Sequence, residues 1–394
     1  MSANTNFLSS LTKELTDGVY FGRYNELRFG PARSEEMDSL KGRLSRIERG
    51  VKTRARRQIA RTLGRNITSK YVSRTARAIR RLTKNPSVDR LAELLVDLDD
   101  HEQAWGAFAD ERSRKVYIRL LALRALGPPH VRLPLDDAKY WQDYDIASSC
   151  EPMGDPLPGG LGFLLCLFDL RPFGYNLTVR CRAGSLLAHC LQRQYELIRP
   201  EGRVTIEEGD VVIDGGAAWG ETALMFSAKT GPAGRVVAVE CVPEVLSVFY
   251  ENMALNPSDG ERIDLVNQAL WDVCDETVIF EEDGPASKVL GVAGRANTGT
   301  THTTVTIDEL VRRFELPKVD FIKMDIEGSE LAALVGASDT LRRFRPKLAV
   351  SAYHKPEDLH VLPLYLSGLG LGYRLFLDHF SNHFEESVLF AVVD

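Results

Sequence analysis

The chain has 394 residues, 44% of them apolar, so it is long enough for two domains and a sizeable core. Its formal net charge is −6, and its six cysteines include no C-x-x-C pair and no Cys/His cluster with zinc spacing. No window approaches the ~20 apolar residues of a membrane span, and residues 1–5 lack the pattern of a secretory signal. We therefore expect a cytoplasmic protein, at most peripheral to a membrane.

Positive charge is concentrated near the N-terminus. Residues 41–84 contain 16 Lys or Arg and one acidic residue, Glu48, a net of +15 that leaves −21 for the remainder. Apolar residues recur every three or four positions from Ile59 to Leu82, which predicts a basic amphipathic helix. Such a helix could bind an anionic membrane surface, a partner enzyme or the acidic remainder of the chain. Nucleic acid is disfavoured because Tyr71 is the only aromatic residue in the segment.

The sequence divides into four segments. Residues 1–40 are mixed and predicted to be partly disordered, and 41–84 form the basic helical segment. An accessory α+β domain is expected over 85–200, with helices at 88–100, 110–126 and 183–197 and short strands within 161–170 and 177–180. The turn at 199–202 then leads into a second domain, 201–394.

The second domain alternates strands and helices. The predicted strands are 211–214, 235–240, 263–266, 319–325 and 347–354, and the predicted helices are 221–229, 243–255, 330–336 and 356–369. Residues 373–378 and 388–393 form a C-terminal antiparallel hairpin. This order predicts a doubly wound, Rossmann-like α/β sheet of mainly parallel strands, which binds ligands outside the carboxyl ends of its strands.

A glycine-rich turn follows the first of these strands. Residues 214–220 read D-G-G-A-A-W-G, and glycines there let the backbone approach a ligand at a helix N-terminus. A carboxylate at this point would repel a pyrophosphate, and it suits a ligand with a positive charge, such as S-adenosyl-L-methionine. The cofactor contacts expected from this turn are Asp214, Gly215, Gly216, Ala217 and Gly220.

Two further places are predicted to contact the cofactor. Glu240 ends the second strand, 20 residues after Gly220, where an acid can accept hydrogen bonds from both ribose hydroxyls. The turn at 267–272 would lie beside the adenine, with Ala269 and Leu270 as the contacts. A solvated strand-end acid and an ordinary loop are the alternative interpretations.

Candidate catalytic residues end the fourth and fifth strands. Asp325 and Glu327 stand at i and i+2, so both can face one side and bind a divalent metal or orient a substrate hydroxyl. Acids are also favoured in a first helical turn by the helix dipole alone. His354, followed by Lys355, is the side chain best suited to accept a proton near neutral pH.

Several segments taken together resemble the FkbM family of S-adenosylmethionine-dependent methyltransferases. They are G-D-V-V-I-D-G-G-A at 209–217, G-P-A-G-R-V at 231–236, T-I-D-E-L at 306–310, V-D-F-I-K-M-D-I-E-G-S-E at 319–330 and Y-H-K-P-E-D-L at 353–359. The resemblance implies a class I methyltransferase fold and O-methylation, commonly of sugar, glycan or polyketide hydroxyls. Ala218 departs from the pattern, since the family often has Asn there, and Pro243 lies further behind the strand-two acid than in the family.

Two other functions remain open at this stage. A nicotinamide-dependent oxidoreductase would share the fold, although the Asp214 carboxylate and the lack of G-x-G-x-x-G argue against it. Alternatively, the second domain is catalytically inactive and the basic segment makes the chain a membrane- or partner-binding module. In the methyltransferase hypothesis, His354 removes the proton from the acceptor hydroxyl while Asp325 and Glu327 orient it.

Overall fold

The computed structural model describes two compact units. The described residues are 97–126, 138–159, 163–281, 288–292 and 300–394, together with isolated positions before 97 and between 126 and 138. The first unit comprises residues 1–137 and 381–385, and the second comprises 138–380 and 386–394. The predicted basic helix at 41–84 lies outside the described residues, as do most of 1–40 and of the predicted helix 88–100. No helix in the described ranges is long and apolar enough to cross a membrane.

The first unit contains two consecutive helices, α1 (Leu98–Ala107) and α2 (Glu111–Leu126). Asp110 begins α2 by accepting a hydrogen bond from the backbone N–H of Ser113 at 2.7 Å, which satisfies one of the free donors of the first turn. The Tyr117 hydroxyl lies 2.7 Å from Nδ1 of His101, and both side chains are buried. The helix predicted at 110–126 is confirmed.

The second unit begins with helix α3 (Ala138–Ser149) and three short strands, β1 (Leu157–Pro158), β2 (Leu164–Asp169) and β3 (Thr178–Cys181). Short strands were predicted where β2 and β3 lie, and these two strands pair antiparallel, whereas α3 was not predicted. Helix α4 (Ala183–Ser185) continues as a π-helical turn, Leu186–Leu191, and ends before the predicted residue 197. It ends there because Arg193 takes a positive φ of 52°, outside the right-handed helical region.

Residues 199–202 form a hairpin turn inside the second unit. It joins β4 (Leu197–Arg199) to β5 (Gly202–Val204), which pair antiparallel. The sequence predicts a domain boundary at this turn, whereas residues 138–200 belong to the same compact unit as the sheet that follows.

A seven-stranded sheet forms the centre of the second unit. Its strands are β6 (Val211–Gly215), β7 (Arg235–Val239), β8 (Ile263–Val266), β13 (Phe321–Met324), β14 (Lys347–Ser351), β15 (Arg374–His379) and β16 (Ser387–Val392). They lie in the order β8-β7-β6-β13-β14-β16-β15. Strand β16 runs in the direction opposite to the other six strands. The predicted doubly wound sheet and its C-terminal antiparallel pair are confirmed, and the strand order reverses between β6 and β13.

Helices connect the strands of this sheet. They are α5 (Glu221–Thr230), α6 (Pro243–Leu255), α7 (Pro257–Gly260), α8 (Ile307–Arg313), α9 (Glu330–Val335), α10 (Ser338–Phe344) and α11 (Asp358–Gly368). Helix α6 matches its predicted bounds because Pro243 fixes its first turn. Thr306 caps α8 by accepting a hydrogen bond from the Glu309 N–H at 3.0 Å.

A second, four-stranded sheet lies in the segment between β8 and β13 and was not predicted. Its strands are β9 (Ala269–Leu270), β10 (Thr277–Glu281), β11 (Lys288–Val292) and β12 (Thr300–Val305), in the order β11-β10-β12-β9. Strand β12 is T-T-H-T-T-V, so it lacks the run of large apolar residues by which the central strands were recognised.

A buried ion pair joins the two strands where the strand order reverses. Lys323 and Asp214 face each other across β13 and β6, with Nζ 3.1 Å from Oδ1, and both are almost inaccessible to solvent. The same ammonium group donates to the carbonyl oxygens of Gly215 at 3.1 Å and Gly216 at 2.6 Å. Thr222 donates to the second oxygen of Asp214 at 2.7 Å, so the pair ties the glycine turn and α5 to β13.

We expect Lys323→Met to lower the free energy of unfolding by about 3–5 kcal/mol, because it leaves the Asp214 carboxylate buried without its counter-charge. Asp214→Asn should also destabilise the fold. The Asp214→Asn/Lys323→Met double variant should lose much less free energy of unfolding than the sum of the losses in the two single variants. Urea unfolding of the four proteins measures this coupling. Strictly additive losses would contradict the importance of the pair.

Candidate active site

The glycine-rich turn is folded back over the end of β7. The backbone N–H groups of Gly216 and Ala217 both donate to the carbonyl of Val239, at 2.9 and 3.1 Å. Gly216 has a φ of +72°, and an added Cβ there would overlap the carbonyl oxygen of Asp325. Only glycine fits at this position, so the turn can approach β13 closely.

A cleft opens along the carboxyl ends of β6, β7 and β13. Its walls include Gly216, Glu240, Ala269, Leu270, Asp325 and Glu327. All six were predicted from the sequence, four as cofactor contacts and two as catalytic residues, and the structure brings them together. Ligands of doubly wound sheets bind at this place, where the strand order reverses.

Glu240 lies at the end of β7 with its carboxylate held by backbone groups. Oε1 accepts hydrogen bonds from the N–H groups of Cys241 at 2.7 Å and Val242 at 2.9 Å, and Oε2 accepts one from Ala218 at 3.1 Å. Burial raises the pKa of this carboxyl, and the three backbone hydrogen bonds oppose that rise. The side chain is thus fixed in one orientation on the cleft wall before any ligand arrives.

Asp214 does not line this cleft. Its side chain is fully buried, and its two oxygens contact Lys323 and Thr222. The expectation that its negative charge faces a ligand is therefore corrected, because Lys323 provides the counter-charge. Gly215 and Ala217 are also buried, and Gly220 begins α5; their contacts with a cofactor stay a prediction.

Three carboxylates surround His354. Its Nε2 lies 3.3 Å from Oδ1 of Asp325 and 3.5 Å from Oε2 of Glu327, and its Nδ1 lies 2.8 Å from Oε1 of Glu330. We call Asp325, Glu327, Glu330 and His354 the carboxylate–histidine cluster. Asp325, Glu330 and His354 each offer a ligand atom within 4.8 Å of the others, close enough to hold a metal ion.

The surroundings of His354 hold it in the protonated form. Burial alone would lower its pKa, but the contact with Glu330 and the charges of Glu330, Asp325 and Glu327 outweigh burial and raise the pKa to about 10. The ring is therefore an imidazolium at neutral pH and cannot accept a proton in that form. This corrects the expectation that His354 is a free base near pH 7, since the sequence could not show how many carboxylates surround it.

Glu330 and Lys355 fix the turn that carries Glu327. Oε1 of Glu330 accepts from the N–H groups of Ile326 at 3.0 Å and Gly328 at 3.4 Å, and the Lys355 ammonium donates to the carbonyl of Gly328. Glu327 has a positive φ of 54°, an unfavourable conformation that these contacts maintain. The catalytic role predicted for Lys355 stays a prediction, because its ammonium group contacts the turn.

Two tyrosines complete the surroundings of Asp325, and sequence reasoning missed both. Tyr195 donates to Oδ2 at 2.7 Å, and Tyr353 donates to Oδ1 at 3.0 Å. Burial raises the pKa of both hydroxyls well above the usual value, so they remain donors. Burial would raise the pKa of Asp325, but His354, Lys323 and Tyr195 hold it below its usual value, so it stays ionised.

Parts of the chain are similar to known methyltransferases. Residues 206–375 match the model of the methyltransferase FkbM domain, and no curated protein matches the chain at a significant level. The structure of methyltransferase FkbM from Methylobacillus flagellatus KT is 20% identical with a TM-score of 0.49, and the alignment covers 78% of this chain and 62% of that one. This chain thus spans about three fifths of the length of that protein.

Two other solved structures are more distant. Fibrillarin from Aeropyrum pernix, in complex with natively bound S-adenosyl-L-methionine, is 17% identical, with a TM-score of 0.36 and coverage of 59% of this chain and 90% of that chain. Precorrin-6y C5,15-methyltransferase from Geobacter metallireducens GS-15 is 15% identical, with a TM-score of 0.30 and coverage of 48% and 83%.

The strand order, the single antiparallel strand β16 and the cleft at the reversal point define a class I methyltransferase fold, the class that uses S-adenosyl-L-methionine. Within it, residues 206–375 form a methyltransferase domain of the FkbM family, as the sequence predicted.

The pKa of His354 predicts a pH dependence of stability. The folded value of about 10 exceeds the unfolded value of 6.5, so the contribution of the ring is complete below pH 6.5 and is lost as the pH rises towards 10. Between pH 6.5 and about 10, the free energy of unfolding of the metal-free wild type should fall relative to that of His354→Gln by up to about 1.4 kcal/mol per pH unit. Urea unfolding at pH 6, 8 and 9.5 measures the difference, and parallel curves would argue against a protonated ring.

The departure at Ala218 predicts a stabilising substitution. Ala218 has a φ of +45°, where an alanine is disfavoured and Asn or Gly is tolerated, which accounts physically for the family's preference for Asn. Ala218→Gly should raise the free energy of unfolding by about 0.5–1 kcal/mol. Ala228→Gly, inside α5, is the matched control and should lower it by about 1 kcal/mol. Equal losses in both variants would contradict the strain at Ala218.

Proposed function

We propose that the protein is an S-adenosyl-L-methionine-dependent O-methyltransferase that acts on a hydroxyl of a sugar, glycan or polyketide-type acceptor. The observation that carries the proposal is the cleft of the FkbM domain, where the fixed carboxylate of Glu240 and the pair Asp325 and Glu327 line one site. The acceptor class rests on the resemblance to the family.

The cleft residues fit the cofactor. Gly216 lines the cleft, and its lack of a side chain lets the turn pack against the backbone carbonyl of Asp325. Glu240 lines the cleft with a carboxylate that backbone N–H groups hold in place, and an acid at this strand end suits the hydroxyls of a ribose. Ala269 and Leu270 present a small apolar wall suited to a base. When bound here, the cofactor supplies an electrophilic methyl group.

The protein side chains orient the acceptor. Asp325 and Glu327 can accept a hydrogen bond from a substrate hydroxyl, and Tyr195 and Tyr353 keep Asp325 in place. Alignment of the hydroxyl oxygen with the methyl group accounts for much of the rate, since effective molarities of ~10⁵ M and above are reached by well-oriented groups. With His354 protonated, a carboxylate of the cluster is the better hydrogen-bond acceptor at neutral pH.

A nicotinamide-dependent oxidoreductase is the weaker hypothesis, but for a reason other than the charge of Asp214. Since Lys323 neutralises that carboxylate, it would not repel a pyrophosphate. The argument against the oxidoreductase is the match to the FkbM domain. The cleft at the reversal point of the strand order, lined by Glu240, Asp325 and Glu327, supports an enzyme over an inactive binding module.

The basic segment at 41–84 is proposed to attach this cytoplasmic enzyme to an anionic membrane surface or to a partner protein. Its net charge of +15 is the supporting observation. Sedimentation of the full chain with anionic vesicles at low and high salt tests the membrane alternative. If the segment binds a membrane, the chain should sediment with the vesicles at low salt and much less at high salt. No co-sedimentation would rule out the membrane and favour a partner protein.

We expect Glu240→Gln to weaken S-adenosyl-L-methionine binding by about 10–100-fold, because a charged acceptor of the ribose hydroxyls is lost. Calorimetric titration measures this, with Glu208→Gln, an exposed glutamate outside the cleft, as the matched control with unchanged affinity. A parallel titration with NAD should show no binding. Transfer of labelled methyl groups to an array of hydroxyl acceptors then tests the reaction, and tight NAD binding would overturn the proposal.

A further inference from the structure

The carboxylate–histidine cluster has an excess of negative charge and unsatisfied buried atoms. Three carboxylates lie within 3.5 Å of a single imidazole, so acidic groups outnumber the basic group three to one. Glu330 is fully buried, and its Oε2 has no hydrogen-bond partner among the described residues. Both ring nitrogens of His354 are likewise buried, and neither makes a hydrogen bond of acceptable geometry in the described structure. Buried charges that lack partners are unfavourable unless a cation compensates them.

The two distances from Nε2 of His354 to its carboxylate neighbours match the distance between two donors that share one cation. Ligands at ~2.1 Å from a metal lie about 3.0 Å apart in octahedral and about 3.4 Å apart in tetrahedral coordination. Nε2 of His354 is 3.3 Å from Asp325 and 3.5 Å from Glu327. The side chains of Asp325 and Glu327 are 21% and 28% exposed, so the cation could enter and retain water as a further ligand.

The other ring nitrogen of His354 lies beside a buried carboxylate. Nδ1 lies 2.8 Å from the buried Glu330 carboxylate, which is itself fixed by backbone N–H groups. A histidine that binds a metal through one nitrogen commonly donates the other N–H to a carboxylate, which orients the ring and increases its basicity. Tyr195 and Tyr353 fix the first ligand, Asp325, in the same way.

We propose that the cluster binds one divalent cation through Asp325, Glu327 and Nε2 of His354, with Glu330 as a positioning residue. One imidazole and two carboxylates favour Mn²⁺ or Zn²⁺ over Mg²⁺, which prefers all-oxygen ligands. For the reaction, and resting on the proposed function, the cation lowers the pKa of an acceptor hydroxyl bound to it. The hydroxyl proton then passes to a water molecule, the oxygen takes the methyl group as the sulfur–methyl bond breaks, and S-adenosylhomocysteine leaves, so His354 need not act as the base.

Isothermal titration of the chelator-treated full chain with Mn²⁺ and with Zn²⁺ tests the proposal. One binding site per chain is expected. His354→Gln should weaken binding at least 100-fold, and Glu330→Gln about 10–100-fold. Glu357→Gln, an exposed acid outside the cluster, is the matched control with unchanged affinity.

A second measurement does not depend on the variants being folded. The chain has eight histidines, and selective ¹⁵N-histidine labelling lets the Mn²⁺ broadening of each ring signal be compared. His354 should broaden first. Absence of binding below millimolar cation, or broadening of other histidines before His354, would overturn the proposal. Titration of the same metal-free protein with S-adenosyl-L-methionine distinguishes the cation site from the proposed function. Cofactor binding without cation binding would overturn the cation site and leave the proposed function supported.

Discussion

The arrangement of the site depends on the buried pair between Asp214 and Lys323. Burying two charges is unfavourable unless they meet in good geometry with their remaining hydrogen bonds satisfied. Here the ammonium group meets one carboxylate and two glycine carbonyls, and the carboxylate also accepts from Thr222. The pair therefore joins β6 to β13 and holds the glycine turn at the point where the sheet opens. A loss of this contact would free the turn that forms one wall of the cleft.

From that junction the active-site residues are organised around Asp325. Its carboxylate contacts Tyr195, which precedes the sheet, and Tyr353 and His354, which follow β14. Segments far apart in the chain thus converge on one side chain, and Glu330 fixes both the turn of Glu327 and the ring of His354. The result is a preorganised group of negative charges with one imidazolium, next to a cleft that already has a fixed acceptor in Glu240.

Much of the second domain could be predicted because its strands are continuous apolar runs and its helices end at glycine or proline. The same pattern placed Glu240, Asp325 and Glu327 on one edge of the sheet.

The partner of Asp214 was missed, although Lys323 interrupts the apolar strand F-I-K-M and such a charge requires a buried counter-ion. Tyr195 could not have been found, since no local pattern marks a contact with a residue so distant in sequence. The protonation of His354 depends on the three-dimensional position of Glu330, which spacing alone does not provide. The polar strand β12 lacked the apolar pattern by which strands were recognised.

The position of β16 has a consequence for synthesis of the chain. This strand is inserted between β14 and β15, and its residues Val388 to Ala391 are completely buried. Because β15 pairs only with β16 in the described sheet, it has no place in the sheet until β16 has left the ribosome. During that interval the apolar edge of β14 is open to pairing with other chains. The nascent protein is therefore vulnerable to aggregation from the time β14 emerges from the ribosome until β16 has emerged and paired with it.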